Sequence, residues 1–318
     1  MYYTITLNPA IDYIINLEKL SAGELNRSVK EKLLPGGKGI NVSVVLSSFG
    51  IENTAFGFTA GFTGRELEKM LFEQNIKSDF IYLTEGKTRI NIKIKENNET
   101  EINTCGPNIT EEDLKKLFEK LNIIKNGDFL ILSGSIPKTV PQSIYLDIVE
   151  YISGKKINLV IDAEKEILLP TLKYNPFLIK PNLYELETIF EVKLSTKAEI
   201  VKAAQSLQNQ GAKNVFISMG SDGGIFVSEE KDVFFSPAPY GKLINSTGAG
   251  DSAVAGFLAQ YEKDKNFRNA FLMGICSGSA SAFSENLATK EEAENLYRHH
   301  IVERLEGKIY EGTDLHNN

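Results

Sequence analysis

The sequence predicts an α/β fold with a mainly parallel sheet covered on both faces, and three observations carry that prediction. Short apolar runs of β-forming residues stop at turn residues, stretches of helical length and period lie between them, and one stretch alone keeps a two-residue period. Apolar runs alternating with helices are the pattern of strands buried on both faces by crossover helices. In such sheets ligands bind beyond the carboxyl ends of the strands, where the turn residues collect.

In chain order, the first glycine cluster is Pro35-Gly-Gly-Lys-Gly-Ile-Asn41, feeding a helix with Val42, Val45, Leu46 and Phe49 at its apolar positions. From Thr88 to Cys105 the period changes to two. Ile90, Ile92 and Ile94 alternate with Arg89, Asn91, Lys93 and Lys95, and Glu96-Asn-Asn-Glu99 reads as a hairpin turn. Strands are expected at Asp128–Leu132, Asn158–Ile161, Phe177–Ile179 and Val215–Ile217. They stop at Ser133-Gly-Ser-Ile-Pro137, Asp162, Lys180-Pro-Asn182 and Ser218-Met-Gly220 respectively. Helical patterns lie between them, as at Gln142–Ile152 and Thr196–Gln210. A further helix is marked by Val254, Phe257, Leu258 and Tyr261, and Thr289-Lys-Glu-Glu292 has the spacing of a capping box. No repeat, low-complexity tract or Pro/Ser-rich linker divides residues 1–318, so one domain with an inserted β hairpin is expected.

Composition narrows the function. Hydrophobic residues make up 42% of the chain, enough for a sizeable core. A net charge of −7 argues against nucleic acid as the main partner, since phosphate backbones need a basic surface. A small phosphorylated ligand needs only a few local cations. Cys105 and Cys276 show no metal-type spacing. No basic-then-apolar leader opens the chain and no apolar run approaches about 18 residues, so a cytoplasmic protein without a membrane partner is expected. The three histidines, His299, His300 and His316, lie in the C-terminal tail, away from the motifs, which argues against Ser-His-Asp chemistry.

The richest segment is Asn245-Ser-Thr-Gly-Ala-Gly-Asp-Ser252, at or just before a helix N-terminus. Free N–H groups and the positive end of the helix dipole make an anion hole there, so Gly248, Ala249 and Gly250 could approach a phosphoryl group. Asp251 would be the first acidic group inside it, placed to take a proton from a hydroxyl; the same residues also suit a plain capped turn. Neither the dinucleotide fingerprint nor the Walker A pattern is present.

Four segments in order resemble the ribokinase-like (PfkB) carbohydrate kinases, over Thr4 to about Ala288: Gly36-Gly-Lys-Gly-Ile-Asn41, Lys180-Pro-Asn-Leu-Tyr-Glu185, Ser218-Met-Gly-Ser-Asp-Gly223 and Ser246-Thr-Gly-Ala-Gly-Asp251. Thr6-Leu-Asn-Pro-Ala-Ile-Asp12, Gly23-Glu-Leu-Asn-Arg27 and Thr88-Arg-Ile-Asn91 resemble the branch acting on fructose 1-phosphate and tagatose 6-phosphate. The resemblance implies a three-layer α/β/α core and a small β lid from about residues 10–20 and 88–105. The implied reaction is ATP-dependent phosphorylation of D-fructose 1-phosphate to fructose 1,6-bisphosphate with Mg²⁺. Tagatose 6-phosphate is the alternative substrate, and an inactive sugar-phosphate-binding regulator a remote third reading.

Residue by residue, the resemblance makes Asp251 the base and Gly248–Gly250 the anion hole, with Gly250 also at the ATP. The sugar side would be Asp12, Gly37, Lys38 and Asn41, with Arg27 and Arg89 gripping the existing phosphate in a forked geometry. Arginines on a hairpin also suit a plain solvated face. ATP would contact Lys180, Asn182, Ser218, Gly220 and Gly223; Asn182 and Glu185 would organise Mg²⁺ through water, or simply cap a helix. The small residues of Cys276–Ala282 suit a purine platform and close helix packing equally. Asp162-Ala-Glu-Lys-Glu166 departs from the family's D-[ST]-S-G-E, and Met219 stands where leucine is common. A homodimer through the lid is the expected assembly.

Overall fold

A computed structural model of the chain describes residues 1–96 and 99–305. Among them an eleven-stranded sheet carries the expected alternation. From one edge its strands run Glu303–Arg304, Val233–Ser236, Gly224–Val227, Asn214–Ser218, Leu178–Ile179, Asn158–Asp162, Phe129–Ser133, Tyr2–Thr6, Asn53–Ala60 and Lys77–Ser78, with Ile81–Leu83 also pairing with Asn53–Ala60. All pairings from Asn214–Ser218 to Lys77–Ser78 are parallel, and the three strands at the other edge are antiparallel.

Period two along each strand divides its side chains between two cores. Leu130, Leu132, Leu159, Ile161, Val215 and Ile217 pack on one face with Leu117, Ile144, Ile148, Leu186 and Ile200 of the helices there. Phe129, Ile131, Val160 and Phe216 pack on the other with Val42, Leu46, Val254, Phe257 and Phe271. This is the expected three-layer arrangement. It brings the strand ends at Ser133, Asp162, Lys180 and Ser218 to one edge of the sheet.

The lid is a separate four-stranded sheet in the order Lys30–Gly36, Ala10–Asn16, Arg89–Lys95, Glu99–Asn103. Its two central strands are parallel and in register, Asp12 opposite Asn91 and Tyr13 opposite Ile92. Asn97 and Asn98, at the tip of the expected hairpin turn, and His316 lie outside the described residues. The lid is wider than the sequence reading, which lacked Lys30–Gly36; Lys-Glu-Lys-Leu-Leu-Pro-Gly neither alternates nor forms an apolar run. Pairing with Ala10–Asn16 makes it a strand all the same. That strand runs directly into the helix Lys38–Ser48, so the first glycine cluster is the joint between lid and core.

Candidate active site

Between the lid and the carboxyl ends of the core strands lies a cavity of about 1580 Å³. That exceeds the roughly 300–1,000 Å³ usual for one small ligand, so two substrates can share it. Every site residue expected from the sequence lines it except Arg27: Asp12, Gly37, Lys38, Asn41, Arg89, Lys180, Asn182, Glu185, Ser218, Gly220, Gly223, Gly248, Ala249, Gly250 and Asp251. Arg27 is exposed in the connection between two lid strands and does not reach the cavity of its own chain.

Asp251 sits in the first turn of the helix Ala249–Asp264, whose N-cap Gly248 has φ of +77°. An L side chain is strained in that left-handed conformation, so glycine is needed to turn the amides toward the cavity. The Asp251 side chain makes no capping bond; its Oδ2 accepts from Asn41 Nδ2 at 2.7 Å. Burial above all, then the negative charge of Asp162, pushes its carboxyl up to about 6, against the pull of Lys38, Asn41 and Lys180. A buried carboxylate that caps nothing and is raised toward neutrality can take up a proton near neutral pH.

Asp162, at the end of its strand, is the hub of the surrounding charges. Lys180 Nζ lies 3.5 Å from its Oδ1 and Lys38 Nζ 3.6 Å from its Oδ2. Burial would raise the Asp162 carboxyl, but the two lysines outweigh it and hold it below its ordinary value. Asp162 in turn raises Lys38. Lys180 is buried and Lys38 half-exposed, and a Cβ on Gly250 would lie 3.2 Å from Lys180 Nζ. Two ammonium groups and a helix N-terminus therefore converge beside Asp251, which is the electrostatics a migrating phosphoryl group requires. In the sequence Asp162 stands out only as a strand end, before the Ala163 and Lys165 that depart from the family pattern; its place among the charges needed two distant lysines brought together.

Asn182 and Glu185 form a full capping box at the start of the helix Leu183–Phe190: each side chain accepts from the other's backbone N–H at 2.8 Å. Both still face the cavity, and Glu185 keeps its second carboxylate oxygen for water or a cation. Among the described residues no cluster of three or more His, Cys, Asp or Glu could hold a metal. The free oxygen of Glu185 is the kind of single protein ligand that suits magnesium, which keeps most of its other ligands as water or phosphate oxygens.

The far end of the cavity is lined by the Ser218–Gly223 turn, Pro237–Gly241 and Gly278, Ser279, Ala282 and Phe283. The Cys276–Ala282 segment serves both alternatives left open by the sequence. Gly278, Ser279 and Ala282 line the cavity, while Cys276, Ser277 and Ser281 are buried in the helix Phe267–Ala282. Ser281 Oγ donates to Ser252 Oγ at 2.6 Å. Burial pushes the Cys276 thiol up to about 12, so it is no nucleophile.

On the lid side, Arg89 is half-buried with its Nε unpartnered; burial lowers its pKa, against the charge of Asp12. Asn91, Lys93, Glu101 and Asn103 share its cavity-facing side, none of them assigned by the motifs, although period two placed Asn91 and Lys93 beside it. No helix among the described residues is long and apolar enough to cross a membrane.

The family model described as pfkB family carbohydrate kinase matches residues 5–294. A 1-phosphofructokinase of Bacillus subtilis is 43% identical over 305 residues, 96% of this chain and 100% of that protein. A D-tagatose-1-phosphate kinase of Bacillus licheniformis is 38% identical over 288 residues, 90% of this chain and 94% of that protein. The phosphofructokinase-2 of Escherichia coli, solved in complex with substrates and products, matches with a TM-score of 0.89 at 26% identity, over 93% of this chain and 98% of that one.

Proposed function

This chain belongs to the pfkB family of carbohydrate kinases, and we propose that its reaction is the transfer of the γ-phosphoryl group of ATP to the 6-hydroxyl of D-fructose 1-phosphate. The observation that carries the mechanism is the raised, buried Asp251 carboxyl facing Lys38, Lys180 and a helix N-terminus in one cavity. The hydroxyl oxygen attacks the γ-phosphorus, its proton passes to Asp251, and the bond from phosphorus to the ADP oxygen breaks. Amides of Gly248–Gly250, with Lys38 and Lys180, hold the charge on the moving group. Arg89 takes the phosphate already on the sugar, its unpartnered Nε free to donate to that anion; Asp12 takes sugar hydroxyls. Magnesium, held by the nucleotide's phosphates, water and the free oxygen of Glu185, would neutralise phosphate charge.

The substrate follows from the relatives: the Bacillus subtilis protein is named for fructose 1-phosphate chemistry, and the Bacillus licheniformis protein for tagatose 1-phosphate. The second reading therefore becomes the 1-phosphate of tagatose, where the sequence motifs had pointed to the 6-phosphate. Steady-state kcat/KM for fructose 1-phosphate, fructose 6-phosphate, tagatose 1-phosphate and tagatose 6-phosphate, side by side, tests the assignment. The highest value is expected for fructose 1-phosphate; a higher value for either 6-phosphate would overturn it.

A further inference from the structure

Asp12, which takes sugar hydroxyls, is half of a buried charge pair in the lid, and phosphoryl transfer gives the other half, Lys93, no task. Lys93 Nζ lies 3.1 Å from Asp12 Oδ2 and 3.8 Å from Glu101 Oε1, with the lysine side chain 6% exposed. Asn91 Nδ2 donates to Asp12 Oδ1 at 2.8 Å. Both donors rise from the strand beside Asp12, on the cavity face. The third side is backbone: a Cβ on Gly36 would fall 2.5 Å from Asp12 Oδ1. A donor on each oxygen and a wall behind hold this carboxylate in one plane. Burying an ammonium group is costly unless it is well paired, so a lid that served only as a cover would gain from an apolar residue at 93.

A second observation points to a ligand. Asn91 is 7% exposed and lines the cavity, and its Oδ1 is buried with no hydrogen-bond partner. A buried amide oxygen without a donor is costly, and a ligand hydroxyl can supply one. Each Asp12 oxygen also keeps a lone pair beyond its protein donor. The lid thus offers three acceptor directions fixed in space, suited to the interior hydroxyls of a polyol. Their place fits too. Asp12 is close enough to act electrostatically on Arg89, and the Gly36 turn behind it runs into the helix whose Asn41 donates to Asp251.

We propose that Asn91 and Lys93 select the configuration of the sugar's interior hydroxyls, Asn91 as a direct contact and Lys93 as a positioning residue acting through Asp12. This rests on the reading of the chain as a ketose 1-phosphate kinase and names what separates epimers within that class.

The experiment measures kcat/KM for D-fructose 1-phosphate and D-tagatose 1-phosphate, which differ only at C4, in the wild type, Lys93→Met, Lys93→Arg and Asn91→Ala. Loss of a hydrogen bond to a charged group should lower kcat/KM for the preferred epimer about tenfold or more, mainly through KM. The other epimer should change little, so the ratio collapses, and KM for ATP should hold. Lys93→Arg should restore part of the ratio. Equal falls for both epimers would make Lys93 and Asn91 supports of the lid and overturn the inference. Melting curves check folding, and if Lys93→Met does not fold, Asn91→Ala decides alone. An active wild type whose epimer ratio survives these changes overturns only this inference. A wild type inactive on both sugars overturns the functional reading, and this inference with it.

Discussion

At the scale of single residues, the position of Asp251 sets two opposite expectations. Its carboxyl stands at about 6, and kcat/KM reports ionisations of the free enzyme, so kcat/KM should rise with pH through about 6 and level off above it. A profile flat across that range would take the base role from Asp251. Stability should run the other way. A folded-state pKa above the unfolded value means that the native state keeps a proton the unfolded chain has released. The stabilising contribution is then full below the unfolded pKa, near 4, and lost as pH rises through about 6. Asp251→Asn should therefore lower kcat by about 10²–10⁴ and yet stabilise the fold at neutral pH by on the order of 1–3 kcal/mol. Urea unfolding at neutral pH and near pH 4 checks this, since the gain should vanish at the lower pH. Arg89 gives a simpler case. Arg89→Ala should raise KM for the sugar phosphate about 10- to 150-fold while KM for ATP stays nearly level; equal losses would mean that the lid is disturbed and no contact was removed.

Whole elements were legible where one periodicity served one purpose. The two-residue period from Thr88 to Cys105 located the lid because its polar face must line the cavity and its isoleucines must not. The core strands were legible because burial on both faces leaves them little but apolar residues. Lys30–Gly36 was hidden because register with a neighbour, not composition, makes it a strand. The Asp162–Lys38–Lys180 cluster was hidden because it joins three separate segments. The small residues at 276–282 stayed ambiguous because one helix uses both faces. Its packing face is testable at Gly256, in the partner helix Ala249–Asp264, where a Cβ would lie 2.1 Å from Ser277 Oγ and 2.9 Å from Met273 O. Gly256→Ala would gain about 1 kcal/mol in helix propensity, but overpacking against backbone costs about 1–3 kcal/mol. Gly256→Val adds bulk with little such gain and should destabilise by about 3 kcal/mol. Because Gly278 packs against Ala249 O, 3.0 Å from its would-be Cβ, forcing these helices apart should also raise KM for ATP before KM for the sugar. Melting curves and both KM values check this; an unchanged Tm in Gly256→Val would refute close packing here.

For the molecule as a whole, the back of the lid is an apolar face in need of cover. Leu33, Tyr13, Ile92 and Ile102 stand in register across its four strands, on the face away from the cavity. Leu33 is 46% and Ile102 50% exposed. Among the described residues, cover reaches only the stem end of this face, where Ile11 packs with Ile40, Leu67, Leu71 and Ile76. The outer strands bear Lys30, Glu31 and Lys32 on one side and Glu99 and Glu101 on the other. Charged edges discourage edge-to-edge strand pairing, so cover should come face to face. A second copy of the same lid is the simplest complement, since a two-fold axis sets the apolar band against itself. The expected assembly is thus a homodimer through the lids, with Ile92 near its centre. An aspartate at that position would bury an unpaired charge, and Ile92→Asp should weaken association at least about 100-fold. Sugar-phosphate affinity should fall with it, because Arg89, Asn91 and Lys93 stand on the strand that Ile92 supports from behind. Sedimentation equilibrium, with sugar-phosphate titrations of both forms, measures the two effects together. If the wild type sediments as a monomer and Ile92→Asp binds sugar phosphate as well as it does, the lid stands without a partner and the shared arrangement is wrong.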